Sequence, residues 1–217
     1  MSPDDRLYIH GYARGTRVGQ GISSMGKTRH IGAGEPIAGW HRTKEYQHFV
    51  QFYDDDAALM ESVAGFFGAG LRSRAACIAI ATSEHRLHLG ARLRARGFEM
   101  DEAVRTGQYI ALDAATVLEA LMAGDEPDPA RFDEIVEPVI AAAELRHPHV
   151  LAFGEMVALL SADKKHSAAV ALEKFWNQLA VRHSFSLFCA YPRSTFSAND
   201  RGAFEKVCAQ HSAVIAA

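Results

Sequence analysis

Five short apolar runs alternate with helix-like segments, and that alternation limits the fold more than any other feature of the chain. The runs lie at 48–53, 77–81, 108–112, 150–153 and 185–190. Cys77-Ile78-Ala79-Ile80-Ala81 has no polar position at all, which suits a strand covered on both faces in a parallel sheet. Helices between such strands predict a three-layer α/β/α fold with a mostly parallel central sheet.

Helix ends are marked by short-range chemistry. Asp54 is read as the N-cap of a helix reaching about residue 68, with Asp55 and Asp56 complementing its dipole and Gly70 as its stop. Thr82 or Ser83 caps a helix to Arg96 that ends at Gly97, and Asp113 caps one through Met122. Asp128-Pro129 opens a helix to about 145, which Pro138 should kink or break. Further helices are expected at 165–182 and at about 199–214.

Residues 1–45 differ from the rest. They hold 8 of the 17 glycines and show no regular apolar period, so they read as a flexible or irregular arm before a domain at 46–217. That arm carries 7 Lys/Arg against 4 Asp/Glu, while the remainder carries 16 against 22. An acidic domain argues against direct nucleic-acid binding, which needs basic clusters. No apolar run is long enough to span a membrane, and the N-terminus has no secretory h-region. Cys77, Cys189 and Cys208 have no paired spacing, so a reduced cytoplasmic setting is expected.

Gly21-Ile22-Ser23-Ser24-Met25-Gly26-Lys27-Thr28 matches the Walker A phosphate-loop pattern. A working loop needs a buried strand before it and a helix after it. Neither the segment before Gly21 nor Arg29-His30-Ile31-Gly32 has that character. Where an α/β nucleotide fold keeps this loop, after the first strand, the chain has Asp54-Asp55-Asp56. Three carboxylates there repel a triphosphate.

In a doubly wound sheet, ligands bind outside the carboxyl ends of the strands. Tyr53, Asp54, Thr82, Asp113, Glu155 and Tyr191 fall near such ends. Glu155 is either an acid or base with a raised pKa or a carboxylate satisfied by local donors. Glu173, Trp176 and Asn177 share one helical face at i, i+3 and i+4. Trp176 fits the core better than a ligand platform, and Asn177 suits fastening backbone at a strand end. His48 opens the first strand, where a histidine commonly serves as a hydrogen-bonding strut. The pairs His85/His88 and His147/His149 lack a third ligand at zinc spacing. Cys189, inside a strand, is expected to be inert, and no nucleophile motif is present.

These blocks, taken in order, resemble the MEDS family, the sensory domain named for methanogens, methylotrophs and the dichloromethane regulator DcmR. The resemblance rests on His48-Phe49-Val50-Gln51-Phe52-Tyr53-Asp54-Asp55-Asp56, Gly70-Leu71, Ile80-Ala81-Thr82 with His85-Arg86, and Leu112-Asp113-Ala114. It continues through Pro127-Asp128-Pro129-Ala130-Arg131-Phe132, Gly154-Glu155-Met156-Val157-Ala158-Leu159-Leu160, Leu172-Glu173, Trp176-Asn177 and Cys189-Ala190-Tyr191-Pro192. It implies a relative of the RecA/KaiC ATPases that has lost its phosphate loop. It also implies a sensor of small, hydrocarbon-derived molecules joined to histidine kinases or transcription regulators, and it strengthens a binding role for His48. The family often carries tryptophan after Ala-Leu-Leu, where this chain has Ser161, which implies a larger or more polar pocket. The expected ligand set is therefore His48, Tyr53, Asp54, Thr82, Asp113, Glu155, Glu173, Trp176, Asn177 and Tyr191, with no metal and no named cofactor. A small molecule and a signalling protein are the expected partners, and self-association is compatible with the pattern. A RecA-like nucleotide binder or ATPase and a ligand-free interaction module are the alternatives.

Overall fold

The computed structural model describes residues 29–31 and 47–215. The Walker-like run at 21–28 and most of the 1–45 arm lie outside the described residues. Nine strands and eight α-helices alternate among those described. In chain order they are β1 (Arg29–Ile31), β2 (Gln47–Tyr53), α1 (Asp56–Arg72), β3 (Ala76–Ala81), α2 (Ser83–Ala95), α3 (Met100–Arg105) and β4 (Tyr109–Asp113). Next come α4 (Ala114–Leu121), β5 (Met122–Ala123), β6 (Glu126–Pro127), α5 (Pro129–Glu144), β7 (Val150–Gly154) and α6 (Met156–Ala162). The chain closes with α7 (His166–Arg182), β8 (Phe185–Pro192), α8 (Arg201–Cys208) and β9 (Ala213–Ile215).

The central sheet has the order β1-β9-β2-β8-β7-β3-β4, with every pairing parallel. Helices cover both faces, giving the α/β/α layering expected from the alternation. Alternate strand residues feed two separate apolar layers. Cys77, Ala79 and Ala81 pack with α1–α3 through Leu59, Phe67, Leu89 and Met100. Ala76, Ile78 and Ile80 pack with α4–α8 through Val117, Phe132, Leu160 and Trp176. No helix among the described residues is long and apolar enough to cross a membrane.

The capping chemistry is met at Thr82, Asp113 and Asp128, whose side chains accept from the N–H groups of His85, Thr116 and Arg131. Gly97, at φ +82, follows α2 in the left-handed region that glycine adopts without penalty. Pro138 lies within α5, which runs through it without a break.

Several expectations are corrected. Asp55, not Asp54, caps α1, with its Oδ1 accepting from Ala57 N–H at 2.8 Å. Gly70 is not a stop, because α1 continues to Arg72. A Cβ on Gly70 would stand 2.5 Å from Leu151 Cδ1 and 3.0 Å from Cys77 Sγ, so this glycine permits close helix–sheet contact. The helix expected at 199–214 ends at Cys208, and the chain then turns to form β9. Helix α6 and the β5–β6 hairpin were not anticipated. Arg29–Ile31, assigned by sequence to an irregular arm, forms an edge strand against β9.

Candidate functional site

The two neighbouring central strands β3 and β7 leave the sheet on opposite faces. β3 feeds α2, whose Leu89 and Leu93 join one apolar layer, and β7 feeds α6, whose Met156 and Leu160 join the other. This split is the switch point at which open α/β sheets bind ligands. Glu155 stands there, 2% exposed, directly after Gly154. Its N–H donates to Ile80 O at 2.9 Å, extending the β3–β7 ladder by one step. Its Oε2 accepts from Thr82 N–H at 2.8 Å, and its Oε1 pairs closely with His85 Nδ1. His85 Nε2 in turn lies 3.7 Å from Asp56 Oδ1 at the start of α1.

The electrostatics follow from that packing. The hydrogen bond to Glu155 holds the His85 imidazole above its ordinary pKa against the effect of burial, with the Glu155 and Asp56 charges adding to the rise. Burial, then the charges of Glu155 and Asp56, push the Tyr53 hydroxyl far above its usual value, so it stays a neutral donor. Asp113 accepts from Thr116 N–H at 3.0 Å and from Arg86 at 2.7 Å, and both hold its carboxyl low. Asp54 takes a bond from Arg193 Nε at 3.0 Å, while Arg193 also donates to Phe52 O at 3.0 Å, joining the ends of β2 and β8. The carboxyl edge thus gathers Tyr53, Asp54, Thr82, Asp113 and Glu155, together with His85, Arg86 and Arg193.

The remaining expected residues lie elsewhere. His48, Glu173, Asn177 and Tyr191 meet inside the molecule, between β2, β8 and α7. Tyr191 O–H donates to Glu173 Oε1 at 2.8 Å. His48 Nε2 lies 3.1 Å from Glu173 Oε2 and 3.4 Å from Cys189 Sγ. His211, in the turn before β9, brings Nε2 to 3.3 Å from Glu173 Oε1. Burial opposes the charge on Glu173, but His211 and His48 hold its carboxyl well below the usual range. Burial, with His211 beside it, lowers the His48 imidazole, and burial pushes the Cys189 and Tyr191 hydrogens to much higher pKa.

Trp176 belongs to the core, fully buried and edge-on to Phe132 at 5.1 Å. Its helix does present Glu173, Trp176 and Asn177 on one inward face, as their spacing predicts. Ser161, where the family often has tryptophan, is buried at the end of α6 and bonds Thr195 Oγ1 at 2.8 Å. His166 Nδ1 stands 3.2 Å from the Ser161 hydroxyl.

Sequence reasoning missed the link from His85 to Glu155 and the partners of Cys189 and His211. The period of two in a strand puts Cys189 and Tyr191 on one face of β8, a signal that was not used, whereas His211 gave none because it lies in a segment expected to be helical.

No curated protein matches this chain. The family profile described as MEthanogen/methylotroph, DcmR Sensory domain matches residues 47–211, a span that contains the switch-point carboxylate and the buried histidine, glutamate and cysteine. The chain belongs to the MEDS family of sensory domains.

Proposed function

We propose that this domain is a non-catalytic cytoplasmic sensor that binds a small molecule outside the carboxyl ends of β3 and β7. In this reading it passes its bound state to a signalling partner such as a histidine kinase or a transcription regulator. The observation that carries the reading is Glu155, a buried carboxylate at the switch point that ties the start of α2 to the end of β7. A ligand that takes a bond from His85 or Tyr53 competes with these contacts, and so moves α2 against α6. The hydrocarbon-like character of the ligand comes from the family.

A fold related to the RecA/KaiC ATPases without their phosphate chemistry is consistent with the segment after β2. There Asp55 caps α1 and Asp54 pairs with Arg193, so the backbone and charge that would cradle phosphate serve other contacts. The test is native mass spectrometry of the full chain, wild type and Glu155→Gln, each with and without Mg·ATP. An organic mass bound to wild type and lost in Glu155→Gln is the expected result. Stoichiometric nucleotide binding would favour the ATPase-like alternative, and a bare wild-type chain in both arms would favour an interaction module.

A further inference from the structure

Four side chains from four separate elements converge in the layer between the sheet and α7. His48 comes from β2, Glu173 from α7, Cys189 from β8 and His211 from the turn before β9. Each is at most 4% exposed, and their ligand atoms lie within 4.8 Å of one another. Buried polar groups at this density are stable only where they satisfy one another or share a partner.

The orientation of both imidazoles is fixed from behind. Asn177 Nδ2 donates to Gln210 O at 3.0 Å, which turns its amide oxygen toward His48. His48 Nδ1–H donates to that oxygen at 3.0 Å. His211 Nδ1–H donates to Val207 O at 2.7 Å. With Nδ1–H of each ring engaged in this way, Nε2 is the atom that each imidazole presents to Glu173, and its lone pair is the one a metal would take. Tyr191 O–H occupies Oε1 of Glu173, leaving Oε2 nearest His48 Nε2 and Cys189 Sγ, at 3.1 and 3.4 Å. This is how proteins orient histidine ligands, by a carbonyl behind each ring and a hydrogen bond on the ligating carboxylate.

We propose that His48 Nε2, Glu173 Oε2, Cys189 Sγ and His211 Nε2 form a tetrahedral site for a divalent late first-row transition metal, with Zn²⁺ the best match. Two imidazoles, a thiolate and a carboxylate are a borderline-soft donor set of the kind zinc takes. Tetrahedral zinc with legs of about 2.0–2.3 Å separates its ligand atoms by about 3.3–3.8 Å, close to the 3.1–3.4 Å contacts among His48 Nε2, Glu173 Oε2 and Cys189 Sγ, and His211 Nε2 completes a set that spans no more than 4.8 Å. Charge balance favours the same partner. One carboxylate and one thiolate neutralise a divalent ion, so the buried site carries no net charge. Binding releases one proton, that of the Cys189 thiol. Four closed protein ligands leave no open coordination position, which makes the site structural, and it joins the first strand of the domain to its last turn. The site is distinct from the carboxyl-edge reading above and does not depend on it.

The test uses untagged full-length protein from cells grown with added Zn²⁺ or Co²⁺. Wild type is expected to carry about one metal ion per chain, as a stoichiometric structural site requires. The cobalt form should show the d–d bands of tetrahedral Co²⁺ and a thiolate-to-cobalt charge-transfer band. Cys189→Ser should lose that band, and Asn177→Ala, a positioning change, should weaken metal affinity about 10- to 100-fold. A folded wild-type protein without metal overturns the proposal. So does bound cobalt lacking the thiolate band, or a band that persists in Cys189→Ser. Because the wild-type spectrum alone reports thiolate ligation, the proposal stays testable if a variant fails to fold.

Discussion

His183 caps the end of α7 between two carboxylates of α5. Its Nδ1 lies 2.6 Å from Glu144 Oε2 and its Nε2 lies 2.9 Å from Glu137 Oε1. Burial works against the charged ring, but the bonds to Glu137 and Glu144 outweigh it and raise the pKa above the ordinary histidine value of 6.5. A group raised on folding stabilises the protein fully below its unfolded pKa, and that contribution fades as pH climbs through the folded value. Wild type should therefore exceed His183→Gln in urea midpoint most clearly below pH 6.5, with the gap closing as pH rises through the raised folded value. A gap that widens with pH would contradict the ion pair. A second residue-scale expectation concerns His85, whose raised pKa is owed first to Glu155. In Glu155→Gln the His85 imidazole, followed by NMR, should titrate at lower pH than in wild type.

Gly70 tests how helix α1 meets the sheet. Alanine there gains helix propensity of about 1 kcal/mol, but its methyl group would enter the space held by Leu151 and Cys77. Overpacking costs typically about 1–3 kcal/mol, and both neighbours are fully packed, so Gly70→Ala should be net destabilising by urea unfolding. A stabilised variant would mean that Leu151 yields freely. Elements defined by local chemistry were legible beforehand. The caps at Thr82, Asp113 and Asp128 are read from one residue and its next three, and the apolar strands from their own composition. Gly70 was misread because a glycine near a helix end has two explanations, a left-handed cap or a close approach, and only the neighbouring strands decide between them. β9 was missed for a similar reason, since three residues become a strand only because β2 lies beside them. The edge group was legible as strand ends. The buried group was only half legible: residues 48, 173, 189 and 211 meet through topology, and no local spacing announces it.

At the scale of the whole molecule, the order β9-β2-β8 governs stability. β2 opens the span matched by the family profile, yet both of its neighbours are the last two strands of the sheet. A chain ending at residue 184 keeps β4, β3 and β7 in contact but leaves β2 without either partner. Such a fragment should collect in the insoluble fraction or be cut rapidly by protease, while the full chain resists. Ser212 shows how the closure is secured: its N–H and its hydroxyl both donate to His48 O, at 2.8 and 2.9 Å, across 164 residues of sequence. The same order has a consequence during synthesis. The ribosome delivers β2 early and its partners late, so this strand waits with two open edges while more than a hundred residues are added. Pairing at such sequence distance is slow to form and exposed to aggregation meanwhile. The soluble yield of the chain should therefore respond to translation speed and chaperone supply as well as to the stability of the finished fold.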